Sequence, residues 1–178
     1  MVYILLADGF EEAEALVTAD LLRRGGLEVE LLGVNGLAVT GSHAITVHAD
    51  RLLTDAAEEP ELVVLPGGLG GVEGILACAA AEALVRRTAQ RGAWVAAICA
   101  APMILARYGL LEGRKAVIYP GMEDELCGAL PQVGQRVAED GRFITGAAAG
   151  SVFDFALRLV ACLKDETTAE EVRRAVHY

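Results

Sequence analysis

The sequence predicts an α/β fold: an open, mostly parallel sheet with helices on both faces. Three observations lead there. Short runs of strand length alternate with stretches of helical periodicity. Runs such as 2–7 and 62–65 are continuously apolar, as strands covered on both faces are. The connections are short and marked by glycine and proline.

Residues 2–7 (Val-Tyr-Ile-Leu-Leu-Ala) read as the first strand, stopped by Asp8-Gly9. A helix follows over 11–24, with Ala15, Leu16, Ala19 and Leu22 on one face and Gly25-Gly26 closing it. Residues 28–34 complete a βαβ unit of the length a parallel pair requires. Residues 37–40 and 44–47 flank Gly41-Ser42-His43 and predict a hairpin added to the sheet. A strand at 62–65 runs into Pro66-Gly67-Gly68, a helix at 72–91 follows, and 94–98 is the next strand. A helix begins near 100, and 115–119 reads as a short strand. A second hairpin, 136–139 with 142–145, turns at Asp140-Gly141. Helices at 151–163 and 168–176 end the chain, the second with Thr168 and Glu171 as a capping box.

A chain of 178 residues, 54% hydrophobic and 22% charged, buries a substantial core and excludes disorder. The expectation is a single domain over 1–178. Against 15 basic residues stand 25 acidic ones, a formal net charge of −10. That field disfavours nucleic acid and anionic membranes as partners. The longest apolar run, 93–106, contains Pro102 and falls short of the roughly 20 residues that span a bilayer. No basic leader precedes the first apolar run, so no targeting segment is expected. Cys78, Cys99, Cys127 and Cys162 form no C-x-x-C pair, which excludes zinc-ribbon and thioredoxin-type motifs. Low cysteine density predicts a cytoplasmic location.

In such sheets chemistry collects beyond the carboxyl ends of the strands, which here means 8–14, 66–71, 99–102 and 119–124. Cys99 stands directly after a strand and before a helix whose first turn carries Pro102. At such an elbow, free amides and a helix dipole are expected to lower the thiol pKa. Gly67 and Gly68 allow close backbone approach and, with the Ala100 amide, suggest an oxyanion hole. Glu11, Glu12 and Glu14 open the first helix, where acidic residues also suit the dipole. One of them, on the face of Glu11 and Glu14, is placed to meet Cys99 as a proton-carrying carboxyl. Cys78, Cys127 and Cys162 read as packing residues on helices, Trp94 as core, and His48 and His177 as surface residues.

These residues together resemble the ThiJ/PfpI superfamily, in the branch of the Parkinson-disease protein deglycase and its bacterial relatives. The matching stretches are Asp8-Gly9-Phe10-Glu11-Glu12-Ala13-Glu14, Asp20-Leu21-Leu22-Arg23-Arg24-Gly25-Gly26 and Val63-Val64-Leu65-Pro66-Gly67-Gly68. Ala96-Ala97-Ile98-Cys99-Ala100-Ala101-Pro102, Tyr119-Pro120-Gly121 and Phe153-Asp154-Phe155-Ala156-Leu157 continue in register. The resemblance implies a flavodoxin-like three-layer sandwich and a homodimer. It implies Cys99 as nucleophile or redox-sensing thiol, Glu14 as its protonated partner, and Gly67, Gly68 and Ala100 as backbone oxyanion donors. It implies no metal and no organic cofactor. The sequence departs from the pattern at Tyr119, where many relatives carry histidine. It departs again at Gly146-Ala147-Ala148-Ala149-Gly150, where arginine and proline are usual, so Tyr119, Ala147 and Ala148 are candidate site-lining residues. His43 stands at the hairpin tip where relatives often carry an arginine that reaches the partner subunit.

Three functions stay open at this point. One is a cysteine-dependent glyoxalase III or protein-deglycase-like enzyme, lyase or hydrolase, acting on methylglyoxal or early glycation adducts. The alternative is a redox-sensing, stress-protective dimer that oxidises Cys99 without turnover. The third is an α/β domain whose crevice has lost its function, favoured by the alanine loop. A peptidase is disfavoured, because Ala100 stands where a Cys–His pair would need histidine.

Overall fold

The computed structural model describes residues 1–56 and 59–178. Its main sheet has seven strands. In chain order these are β1 (Val2–Leu6), β2 (Val29–Gly33), β5 (Arg51–Leu52), β6 (Leu62–Leu65), β7 (Trp94–Ile98), β10 (Val137–Asp140) and β11 (Phe143–Gly146). Across the sheet the order is β10-β11-β7-β6-β1-β2-β5, with only β10 antiparallel to its neighbour. The predicted mostly parallel sheet is therefore present, and the fold is flavodoxin-like.

Strand alternation divides the core in two. Val2, Ile4 and Leu6 pack with Ala15, Ala19 and Leu22 of α1 (Glu12–Arg24) and with Phe155 and Leu159 of α5 (Val152–Leu163). Tyr3, Leu5 and Ala7 face the opposite layer of α2 (Leu69–Leu76), α3 (Ala79–Gln90) and α4 (Pro102–Arg107). Their partners there include Ile75, Val85 and Ile104, all fully buried. Each such aliphatic side chain contributes roughly 2 kcal/mol from leaving water. α1 stops where Gly26 turns left-handed at φ 73°. Leu27 N there donates to Leu22 O at 3.1 Å.

Several elements differ from expectation. The first hairpin, β3 (Ala38–Thr40) with β4 (Thr46–His48), forms its own two-stranded sheet. β5 already pairs with β2 at the edge the hairpin would have used. The helix expected over 72–91 is two, because Cys78 adopts an extended conformation (φ −102°, ψ 105°) and caps α3. The strand expected over 115–119 shrinks to β8 (Lys115–Ala116), paired with β9 (Leu130–Pro131) outside the main sheet. Beyond it, the backbone N–H groups of Val117 and Tyr119 donate to the Thr145 hydroxyl and the Cys99 carbonyl instead. The last helix, α6 (Glu166–Ala175), begins earlier than expected because Asp165 caps it, accepting from Thr168 N at 2.7 Å. Of the three packing cysteines only Cys162 lies within a helix; Cys127 is exposed at φ 29° after a 3-10 turn. Trp94 is half-buried rather than core, its ring covered by the Arg142 guanidinium at 4.6 Å.

The strand order reverses between β1 and β6, since β2 lies on one side of β1 and β6 on the other. A crevice opens above such a switch point. Among the described residues, no helix is long and apolar enough to cross a membrane.

Candidate functional site

The loops after β1, β6 and β7 meet above the switch point. Cys99 follows β7 in a left-handed backbone conformation, φ 64°. That conformation costs a non-glycine residue about 1–2 kcal/mol. It persists because both backbone groups are held: Cys99 N donates to Gly146 O at 2.9 Å, and Tyr119 N donates to Cys99 O at 2.8 Å. The strand–turn–helix elbow expected at Cys99 is thus real. Flanking Ala96, Ala97, Ala100 and Ala101 are buried and leave room for the sharp turn.

Glu14, fully buried in the first turn of α1, reaches the same point. Its Oε2 accepts from Gly67 N at 2.8 Å. A Cβ on residue 67 would stand 2.6 Å from that oxygen and 3.1 Å from Cys99 Sγ, so carboxyl and thiol flank one glycine. Gly68 is left-handed at φ 84°, and a Cβ there would meet Gly9 O at 2.2 Å. The glycines thus let the β6 loop nest against the β1 loop, where Glu11 N donates to Gly67 O at 2.9 Å.

This geometry corrects the expected oxyanion hole. The Gly67 amide is occupied by Glu14 and is not free to hold a substrate oxygen. Among the described residues the amides of Gly68 and Ala100 donate to no backbone group, and both act on the Cys99 sulfur. The thiol pKa is corrected as well. Burial first, then the negative charge of Glu14, pushes the Cys99 thiol up to about 12. The Ala100 and Gly68 amides oppose that rise without overcoming it. Glu14 is itself raised by burial to about 7, against the pull of the Gly67 amide and the Cys99 thiol. Its Oε1 is buried with no hydrogen-bond partner among the described residues, a state that suits the neutral acid. Protonating Glu14 therefore removes its repulsion of the thiolate, while burial continues to favour the neutral thiol.

Glu12 points away from Cys99 and clasps the hairpin tip. Its Oε1 accepts from His43 N at 2.8 Å and Ile45 N at 3.3 Å, and its Oε2 lies 3.0 Å from His43 Nδ1. Burial alone would raise its pKa, but these bonds and its own backbone N–H bring it down to about 2. The His43 pKa is raised by its bond to Glu12 and by Glu11. His43 is thus engaged within its own chain, away from the thiol. Glu11, Glu12 and His43 are the described residues best placed to hold a cation, with ligand atoms within 4.8 Å of one another. The His43–Glu12 hydrogen bond, the His43–Glu11 ion pair and the Ser42 hydroxyl within reach of both carboxylates already account for that arrangement.

Tyr119 contributes its backbone N–H, while its side chain is exposed. Ala147 and Ala148 follow Gly146 and line a neighbouring cavity. Sequence reasoning missed Thr145, whose buried hydroxyl accepts from Val117 N at 2.9 Å and anchors the segment leading to Tyr119. A threonine inside the apolar run 143–146 was the available signal.

The model of the DJ-1/PfpI family matches residues 1–162. Protein dj-1beta of Drosophila melanogaster is 35% identical over 97% of this chain and 94% of its own length. A deglycase of Pyrococcus abyssi is 32% identical over 92% of this chain and 99% of its own length. The structure of oxidised Toxoplasma gondii DJ-1 superposes with a TM-score of 0.95 at 33% identity, covering 99% of this chain and 97% of that one. The family match spans most of the sequence and the structural likeness spans nearly all of it, and the chain belongs to the DJ-1/PfpI family.

Proposed function

We propose that the chain is a cysteine-dependent enzyme of glyoxalase III or deglycase type, acting on small 2-oxoaldehydes or early glycation adducts. The observation that carries this reading is the convergence of half-buried Cys99, buried Glu14 and the Gly68 and Ala100 amides that face the sulfur. The deglycase name of the Pyrococcus abyssi relative supports it.

In this reading Cys99 sulfur adds to the aldehyde carbon, and the two amides hold the oxygen that becomes negative. The thiol proton passes to the Glu14 carboxylate and from there to the new oxyanion, which gives the hemithioacetal and returns Glu14 to its carboxylate form. Glu14 then takes the C1 hydrogen and delivers it to C2 through an enediol, leaving a thioester. Water hydrolyses the thioester, releases a 2-hydroxy acid and returns the thiol. The test is lactate release from methylglyoxal by wild type, Cys99→Ala and Glu14→Ala. Loss of turnover in both variants is expected; equal rates in all three overturn the reading.

A second reading is redox sensing, favoured by the same two amides, which suit the oxygens of a cysteine sulfinate. Mild peroxide followed by site-resolved mass spectrometry tests it. Cys99 is expected to oxidise ahead of Cys78, Cys127 and Cys162, and failure to do so removes this reading. Either function is proposed for a single-domain, cytoplasmic protein acting as a homodimer, which sedimentation velocity tests.

A further inference from the structure

A cavity of about 390 Å³ opens beside the elbow. Both backbone hydrogen bonds that hold Cys99 lead to its walls. Tyr119, whose N–H holds the Cys99 carbonyl, lies between Ile118 and Pro120, and both of these line the cavity. Gly146, whose carbonyl holds the Cys99 N–H, is followed by Ala147 and Ala148, and both line it as well. The chain segments that hold the Cys99 backbone therefore continue directly into the cavity walls. Its size falls within the roughly 300–1,000 Å³ of sites that enclose a drug-sized ligand. The three carbons of methylglyoxal would leave it almost empty.

The charges of the cavity select among larger substrates. Its cation, Arg136, is committed to the Asp154 carboxylate and the Gly150 carbonyl. Its anion, Glu123, accepts from Gly121 N, at 3.0 Å, and from no other described residue. Among the described residues no uncommitted cation faces the space, and the exposed lining is mostly apolar. An anionic group entering it would lose hydration without gaining a partner.

We propose that this cavity is the subsite for the substituent carried by the reacting carbonyl, and that it takes an uncharged apolar group of aryl or branched-alkyl size. The proposal rests on Cys99 being the point of attack. An aryl 2-oxoaldehyde and one water would yield the aryl 2-hydroxy acid. The C1 hydrogen moves to C2, water supplies the new carboxylate oxygen, and no external oxidant or reductant takes part.

The experiment compares methylglyoxal with phenylglyoxal, reading lactate and mandelate, in wild type, Val133→Glu and Val133→Leu. Val133 lines the cavity and is 77% exposed, so its replacement leaves the core alone. Val133→Glu is expected to lower kcat/KM for phenylglyoxal at least tenfold while methylglyoxal stays within twofold, and Val133→Leu is expected to retain both. Equal effects on the two aldehydes, or none on phenylglyoxal, overturn the subsite. A parallel arm follows Cys99 alkylation by phenacyl bromide and by iodoacetamide, mapped by mass spectrometry. If wild type turns over neither aldehyde, the enzymatic reading fails and this arm decides the subsite alone. Selective slowing of phenacyl bromide by Val133→Glu upholds it, and unselective or absent slowing overturns it.

Discussion

Glu14 and Cys99 sit on either side of Gly67, and their charges oppose each other. Replacing the carboxyl by a neutral amide removes the repulsion but keeps the shape. Glu14→Gln is therefore expected to lower the Cys99 pKa and to speed iodoacetamide alkylation at pH 8 about tenfold, one pK unit's worth. An unchanged rate–pH profile would separate the two groups. Gly67→Ala places a Cβ 2.6 Å from Glu14 Oε2 and 2.7 Å from Cys99 Cβ. We expect it to lose about 1–3 kcal/mol in denaturant melts through overpacking, and to displace the pair. At this scale the sequence shows which residues meet: a cysteine after an apolar strand, a carboxyl at helical spacing, paired glycines. It does not show which amide the carboxyl occupies. It also hides the sign of the thiol shift, because desolvation depends on everything packed around the sulfur.

The central strands β1, β6 and β7 are legible because they are apolar on both faces and end at turn residues, whereas the two-residue edge strand β5, Arg51–Leu52, carries no such pattern and is not expected. The hairpin β3–β4 is legible as a hairpin but not in its placement. That placement rests on side chains from elsewhere: Glu12 accepts from His43 N and Ile45 N, and Asp8 Oδ1 accepts from Thr40 N at 2.9 Å. Glu12→Ala should release the tip, with faster amide exchange at 43–45 and a loss of about 1–2 kcal/mol. Exchange there as slow as in wild type would show that backbone contacts alone dock the hairpin. The single helix expected over 72–91 fails for a comparable reason. Helical periodicity continues through Cys78, while the chain must turn there to lay both α2 and α3 on the sheet.

For the molecule as a whole, two buried glutamates give stability opposite dependences on pH. The Glu14 pKa is raised from 4.5 to about 7, so between those values the folded state binds more protons than the unfolded chain. Stability therefore falls as pH rises through that window, by about 3 kcal/mol in total. Glu12 is depressed to about 2, so its contribution is present above the ordinary carboxyl range and is lost as pH falls toward that value. Denaturant melts at pH 5 and pH 8 should show the Glu14 decline in wild type and its absence in Glu14→Gln. Parallel declines in both would assign it to other groups. The left-handed backbone at Cys99 adds a constraint of another kind. Glycine is the residue that conformation suits, so Cys99→Gly should exceed Cys99→Ala in stability by about 1 kcal/mol. Folding alone would place glycine at 99; the cysteine there meets a demand that folding does not make.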